Sequence, residues 1–209
     1  MINKEDEKNL VWEPVQVEHV IQDRWIDLRK VEYRMPDGST FSPYYNYTRR
    51  SYAVIVASDE DGRFLCVRQY RHGIRQVTTE FTAGGIEHPE MDEKLTSEHA
   101  LATPEEALAA AKRELEEETG YTSGEWHQMI TVPSNPTIAD NYAFIFRAVN
   151  CRRTRDRHTD DTEFLQLERL TPAEVEERIR TGQFQQPIHI MAWLMAVRED
   201  PELQAAING

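Results

Sequence analysis

Apolar positions along the chain change their period several times, and the changes mark out the elements. Between residues 11 and 33 they partly alternate, with Val15, Val17 and Ile21 on one parity and Trp25, Ile26, Leu28 and Val31 following. A period near two predicts strands. Pro36-Asp37-Gly38 is a turn signal. Residues 52–57 and 64–70 are rich in apolar and β-branched residues, and Asp59-Glu60-Asp61-Gly62 between them makes a tight connection. The pair is expected as a hairpin. Gly84-Gly85 permits a close backbone approach, and on its own is expected as an ordinary turn.

A helix is expected next. Thr103 suits the N-cap, Pro104 the first helical position, and glutamates fill the first turn. The apolar series runs through Ala107, Leu108 and Ala111 to Leu115, and Gly120 stands where a left-handed C-cap residue is wanted. Residues 126–132 and 142–149 read as strands, 152–161 as a charged loop and 164–167 as a short strand. Thr171-Pro172 opens a second helix ending near Gly182, and residues 187–197 form a last one. Strands and helices interspersed in this irregular way predict an α/β (α+β) class with a mixed sheet.

The chain's 209 residues suffice for one domain with a core plus a small appendage. The longest apolar run, Ile190 to Val197, is far short of the roughly 20 residues of a membrane helix, so no membrane partner is expected. The first eight residues are polar and expected to be disordered, with no apolar signal core. Of the two cysteines, Cys66 and Cys151, Cys66 lies in an apolar, strand-like segment and reads as a packing residue; no disulfide is expected, which fits a reducing cytoplasm. A net charge of −13 disfavours nucleic acid. An anionic substrate would need a local neutraliser: a bound cation, an arginine cluster, or both.

Glu114, Glu117 and Glu118 stand at i, i+3 and i+4 on the predicted helix, within an arc of about 100°. Three carboxylates so close are unfavourable unless something positive sits among them, and Mg²⁺ takes hard oxygen ligands of this kind. A solvated acidic face is the bland reading. Against it, Ala107, Ala110 and Ala111 project into the same arc, whereas an amphipathic helix sets its charges opposite its small apolar residues.

Gly84, five residues, Glu90, and later Arg113-Glu114-Leu115-Glu116-Glu117-Glu118-Thr119-Gly120-Tyr121 together resemble the Nudix hydrolase signature. Between Glu90 and Arg113 lie 22 residues where the signature has seven. Residues 91–103 are therefore expected as an inserted loop, which leaves Glu90 and Glu105 as alternatives for the signature's first glutamate. The resemblance implies a Nudix-type α/β/α sandwich over residues 51–209 with a small β region at 9–50. It also implies that Glu114, Glu117 and Glu118, with the backbone carbonyl of Ala83 or Gly84, hold Mg²⁺ (Mn²⁺ as a substitute). Arg113 would pair with a neighbouring carboxylate and fix its rotamer.

Val67-Arg68-Gln69-Tyr70-Arg71 followed by Glu80-Phe81-Thr82-Ala83-Gly84-Gly85 looks like the ADP-ribose pyrophosphatase branch, with Thr82 where that branch commonly has proline. This likeness implies a nucleoside diphosphate sugar substrate and an N-terminal region that helps build a homodimer. Arg68, Arg71, His72 and Arg75 are the densest basic cluster near the site. Arg71 and Arg68 are candidates for phosphate, and Glu80 for a substrate base or an arginine. Asp140 and Glu163, each on a loop after the signature helix, are alternative general bases beside the catalytic Glu114 and Glu117. Trp25 and Tyr45 are candidates to stack on a base. Two competing functions stay open: a Nudix hydrolase of another nucleoside polyphosphate, and a non-catalytic Nudix-fold sensor.

Overall fold

The computed structural model describes residues 7–87, 94–158 and 164–208. Residues 1–6 of the expected tail, 91–93 of the expected insertion, and Glu90 and Glu163 lie outside them. The described residues group into two compact units. The first draws on Met1–Arg50, Glu87–Leu101 and Pro133–Tyr142, the second on Ser51–Ile86, Ala102–Val132 and Ala143–Gly209.

In the first unit β1 (Glu13–Gln22), β2 (Asp27–Arg34) and β3 (Thr40–Thr48) form an antiparallel sheet in chain order. Asx turns close both connections. Asp23 Oδ1 accepts from the amides of Trp25 and Ile26 at 2.7 and 2.9 Å, and Asp37 Oδ1 from that of Ser39 at 2.9 Å. Gly38 supplies the positive φ the second turn needs. Residues 135–140 tie onto this sheet: the Tyr47 amide donates to the Ile138 carbonyl at 2.8 Å, and Tyr44 Oη to that of Thr137 at 2.8 Å. Leu95 is buried, and its amide donates to the Asp23 carbonyl at 2.8 Å. The described part of the expected insertion is thus held by this unit.

The second unit is built on a seven-stranded sheet of order β10-β5-β6-β4-β9-β7, with β8 also pairing β9. Its strands are β4 (Tyr52–Asp59), β5 (Phe64–Arg71), β6 (Gln76–Gly85), β7 (Tyr121–Thr122), β8 (Glu125–Pro133), β9 (Tyr142–Arg153) and β10 (Leu165–Leu170). β4 and β9 are parallel, while β4 and β6 are antiparallel, so the sheet is mixed. Helix α1 (Pro104–Thr119) covers one face, packing Ala107, Ala111 and Leu115 on Ala53, Ile55 and Phe144. Helices α2 (Pro172–Arg180), α3 (Pro187–Glu199) and α4 (Pro201–Asn208) cover the other, where Val175, Trp193 and Leu203 meet Val54, Val56 and Phe81. With both faces covered, β4 reads as a continuous apolar run, not an alternating one. This is the expected α/β/α sandwich. No described helix is long and apolar enough to cross a membrane.

Two local expectations are corrected. β4 and β5 leave their tight turn paired only at Ser58 and Phe64, because β6 inserts between them and pairs with both. Gly84 and Gly85 are no turn: they end β6, opposite Ala53 and Tyr52. Strand β3 and helix α4 also went unmarked in the sequence pattern. Pro43 interrupts the first, and Asp200-Pro201 separates the second from the apolar series of α3.

Candidate active site

Helix α1 is fixed at both ends as its sequence signals require. Thr103 Oγ1 accepts from the Glu106 amide at 3.2 Å, and the Glu106 carboxylate accepts from the Thr103 amide at 2.8 Å. Gly120 takes φ 78° and its amide donates to the Glu116 carbonyl at 2.8 Å. Between the caps, Glu114 and Glu118 are buried on the side that carries Ala107 and Ala111, and Glu117 is half-buried. The carboxylates therefore face inward with the small residues, as their shared arc demanded.

Glu114 rests directly on the backbone of β6. A Cβ at Gly84 would stand 1.9 Å from Glu114 Cδ and 2.1 Å from its Oε1, so any side chain there would have to displace the carboxylate. Gly84 is required by this close approach and not by a positive φ. Arg113 binds the arrangement from the open side. Its Nη2 donates to Glu114 Oε1 at 2.6 Å and to the Gly85 carbonyl at 3.4 Å, and its Nη1 to Glu117 Oε2 at 2.6 Å. One guanidinium thus pairs with two of the three carboxylates.

On the sheet, Glu80 is fully buried beneath Arg71. Arg71 Nε donates to both Glu80 oxygens, at 2.8 and 3.0 Å; its Nη2 also donates to Oε2, and Thr78 Oγ1 to Oε1. Burial pushes the Glu80 carboxyl up, but the Arg71 guanidinium and the Thr78 hydroxyl outweigh it and hold it below the ordinary glutamate range. Arg71 is pushed up first by its hydrogen bonds to Glu80, and the negative charge of Glu118 adds to this.

The pleat divides the expected basic cluster. β5 and β6 pair without irregularity from Cys66 to Arg71, so Arg68 and Arg71 lie on opposite faces. Arg68 lines a groove of about 470 Å³ with Tyr70, Val77 and Phe164, apart from the carboxylates. Arg75 sits in the β5–β6 turn with a φ of 56°, and His72 packs edge-on against Tyr70. Asp140 belongs to the first unit, where its Oδ2 accepts from Arg29 Nη2 at 2.9 Å and from Thr48 Oγ1 at 2.6 Å. Trp25 is exposed with the Arg24 guanidinium 5.0 Å from its ring centre, and Tyr45 is exposed on β3. Glu105 is exposed in the first turn of α1.

One residue near the site gave no sequence signal. His189, in α3, is buried and lies nearly parallel to the Phe81 ring at 17°. Burial pushes its pKa down to about 4, against the pull of Glu80. A lone histidine in an apolar helix carries no pattern that would single it out.

The carboxylates of Glu114, Glu117 and Glu118 are hard oxygen donors, the chemistry a divalent cation takes. Ion pairs join Glu80 to Arg71 and both Glu114 and Glu117 to Arg113, and the negative charge of Glu118 acts on Arg71, so carboxylates outnumber guanidiniums. The removal of any side chain from Gly84 also opens the β6 backbone to the Glu114 carboxylate. Among the described residues no three acidic, histidine or cysteine groups converge closely enough to hold an ion as they stand.

Comparison with known proteins agrees with this geometry. The family model of the NUDIX domain matches residues 48–194. The ADP-ribose pyrophosphatase of Bacillus subtilis (strain 168) is 26% identical over 165 residues, covering 78% of this chain and 80% of that protein. The methanol dehydrogenase activator of Bacillus methanolicus is 26% identical over 167 residues, covering 79% and 82%. The crystal structure of an ADP compounds hydrolase superposes with a TM-score of 0.73 at 21% identity, over 91% of this chain and 94% of that one, and shows the shared fold. A domain match across most of the chain, centred on a helix that turns its Arg-Glu-Leu-x-Glu-Glu run onto a glycine strand end, makes this chain a member of the Nudix family of pyrophosphohydrolases.

Proposed function

We propose that the protein hydrolyses the pyrophosphate bond of a nucleoside diphosphate sugar of the ADP-ribose kind, giving a nucleoside monophosphate and a sugar phosphate. The observation that carries the reading is the seating of Glu114 on Gly84, on the helix that also carries Glu117 and Glu118, in the unit that holds the Arg71–Glu80 pair. The name of the Bacillus subtilis relative supports the substrate class. Glu114, Glu117, Glu118 and the Ala83 carbonyl would hold Mg²⁺, with Mn²⁺ as a substitute. Such an ion neutralises charge on phosphate oxygens and lowers the pKa of bound water.

Arg71 would meet a phosphate, held at its station by buried Glu80. Arg113 would keep Glu114 and Glu117 oriented. Of the two carboxylates suited to act as general base, Asp140 is engaged by Arg29 and Thr48, which favours Glu163. A homodimer is part of the proposal: Val15, Val17 and Ile21 on β1 are each about half exposed, an apolar strip suited to a second copy. The two free, buried cysteines fit a reducing cytoplasm.

A panel of diphosphate sugars and nucleotides with Mg²⁺, run on wild type and Glu117→Gln, tests the reading. Magnesium-dependent release of a nucleoside monophosphate is expected, falling by roughly three orders of magnitude or more in the variant. Turnover of dinucleotide polyphosphates or triphosphates instead would reassign the substrate. Tight binding without turnover would point to a sensor.

A further inference from the structure

We infer that the segment Thr154–His158 is a strap that positions Glu117 and Glu118, with Arg155 and Glu116 as its fastening. The inference rests on the reading of Glu117 and Glu118 as metal ligands. Both stand in the last turn of α1, which ends at Thr119. That end of a helix suits such residues poorly. Its last four carbonyls have no intrahelical donor, and its C-terminus carries partial negative charge. Glu116, Glu117 and Glu118 add three carboxylates there, and no basic residue in the turn offsets them. Helix ends fray, and a frayed end here would carry the ligands with it.

The strap supplies what the turn lacks. The His158 amide donates to the Glu117 carbonyl at 3.0 Å, on the backbone of a ligand residue itself. The amides of Thr154 and Arg155 both donate to the Gly120 carbonyl, at 2.9 and 3.3 Å. Arg155 Nε lies 3.2 Å from Glu116 Oε1, which sets a cation at the negative end of the helix. Glu116 is the glutamate of the run left out of the proposed ligand set, and the strap is its partner.

Gly120 permits the approach. A Cβ there would stand 2.3 Å from the Arg155 carbonyl oxygen, a backbone atom, and the φ of 78° itself calls for glycine. The same residue thus ends the helix and seats the strap. The residues that pack α1 on the sheet, Ala107, Ala111 and Leu115, all precede this turn. Loosening the strap therefore frees the ligands while the helix stays docked.

The test is Mn²⁺ binding to the folded protein without substrate, followed by electron paramagnetic resonance of the free ion, beside hydrogen exchange of the α1 amides. Gly120→Ala drives the Arg155 carbonyl away and is expected to weaken Mn²⁺ by about tenfold or more. Arg155→Ala leaves the backbone alone, so the test stands even where Gly120→Ala does not fold. It removes one partly exposed pair, for which a loss of about threefold is expected, and Arg155→Lys should restore most of it. Arg152→Ala, whose guanidinium pairs with Glu60, is the control and should bind as wild type does. Exchange should quicken in the last turn of α1 and stay unchanged in the middle of the helix. The inference is overturned if Gly120→Ala and Arg155→Ala both bind Mn²⁺ as wild type does, if the last turn exchanges faster with binding unchanged, or if Arg152→Ala weakens binding as much as Arg155→Ala. A wild type that binds no Mn²⁺ at millimolar concentration overturns the metal reading, and the strap's role with it. Binding that weakens as expected in a protein that hydrolyses no diphosphate sugar supports the strap and removes only the substrate reading.

Discussion

The carboxylate of Glu114 occupies the place that a Cβ on Gly84 would take, with Cδ only 1.9 Å from that point. The contact joins the signature helix to the sheet, and it predicts an asymmetry between two adjacent glycines. Gly84→Ala should push Glu114 off the β6 backbone. The displaced group is the end of a flexible side chain and the backbone at 84 is not left-handed, so the fold should survive. A misplacement of about 1 Å costs roughly 100-fold in rate, and kcat/KM is expected to fall by at least that. Gly85→Ala, which meets nothing within 4 Å, should leave activity and Tm unchanged. Equal effects at both positions would remove the seating argument.

The carboxylate set predicts a linkage between metal and stability. If Glu114, Glu117 and Glu118 hold Mg²⁺ only when folded, saturating metal raises stability by about 2.7 kcal/mol at a hundred times Kd. Differential scanning calorimetry should show Tm rising with Mg²⁺ in wild type and much less in Glu114→Gln. Chelation should abolish turnover. A variant whose Tm rises as wild type's does would show that the ion binds elsewhere.

Glu80 is a buried carboxylate whose charge is balanced chiefly by Arg71. Arg71→Met strands that charge, and such losses cost about 3 kcal/mol or more. The double variant with Glu80→Leu should recover much of the loss. The pH sign follows from the direction of the shift. Because the folded pKa lies below the ordinary value near 4.3, the pair's contribution is complete above that value and is lost as pH falls through the folded pKa. Urea titrations at neutral and acidic pH should therefore show a shallower acid decline for Glu80→Gln than for wild type.

Much of this arrangement is legible in the residues, and the illegible parts share a cause. Helix α1 could be read because caps, apolar spacing and acidic spacing are all local: Thr103, Pro104, Leu115 and Gly120 each act within one element. Strand neighbours are not local. Asp59 to Gly62 make a good turn, yet nothing nearby tells that residues 76–85 return between β4 and β5. The double glycine looked like a turn because the carboxylate it makes room for is 30 positions further on. Arg68 and Arg71 looked like one cluster because the pleat's alternation shows only once the strand is known to be regular.

Leu95 offers a check on the described part of the expected insertion. It is 2% exposed, its amide donates to the Asp23 carbonyl, and the Leu95 carbonyl accepts from Gln22 Nε2 at 3.1 Å. Burial with both backbone groups engaged marks an anchor and not a free loop. Leu95→Ala should destabilise by about 2–5 kcal/mol, whereas exposed Leu101→Ala should change Tm little. If the two variants melt alike, this segment is not an anchor.

His189 makes a prediction in a different pH window from Glu80. Its ring is buried against Phe81, and burial is the first cause of its lowered pKa, with Arg71 adding to the effect. The folded state therefore resists a proton that the unfolded chain accepts near pH 6.5. Stability is full above that pH and is lost as pH falls toward about 4, where the folded protein begins to take the proton too. A gap of this size is worth about 3 kcal/mol. His189→Phe keeps the stacking surface and removes the titration, so its stability should vary less than wild type's across this window. Equilibrium unfolding at pH 7, 5.5 and 4 separates the two, since Glu80 remains ionised over most of that range. Parallel curves for wild type and His189→Phe would mean that the ring takes its proton in the fold as readily as in the unfolded chain.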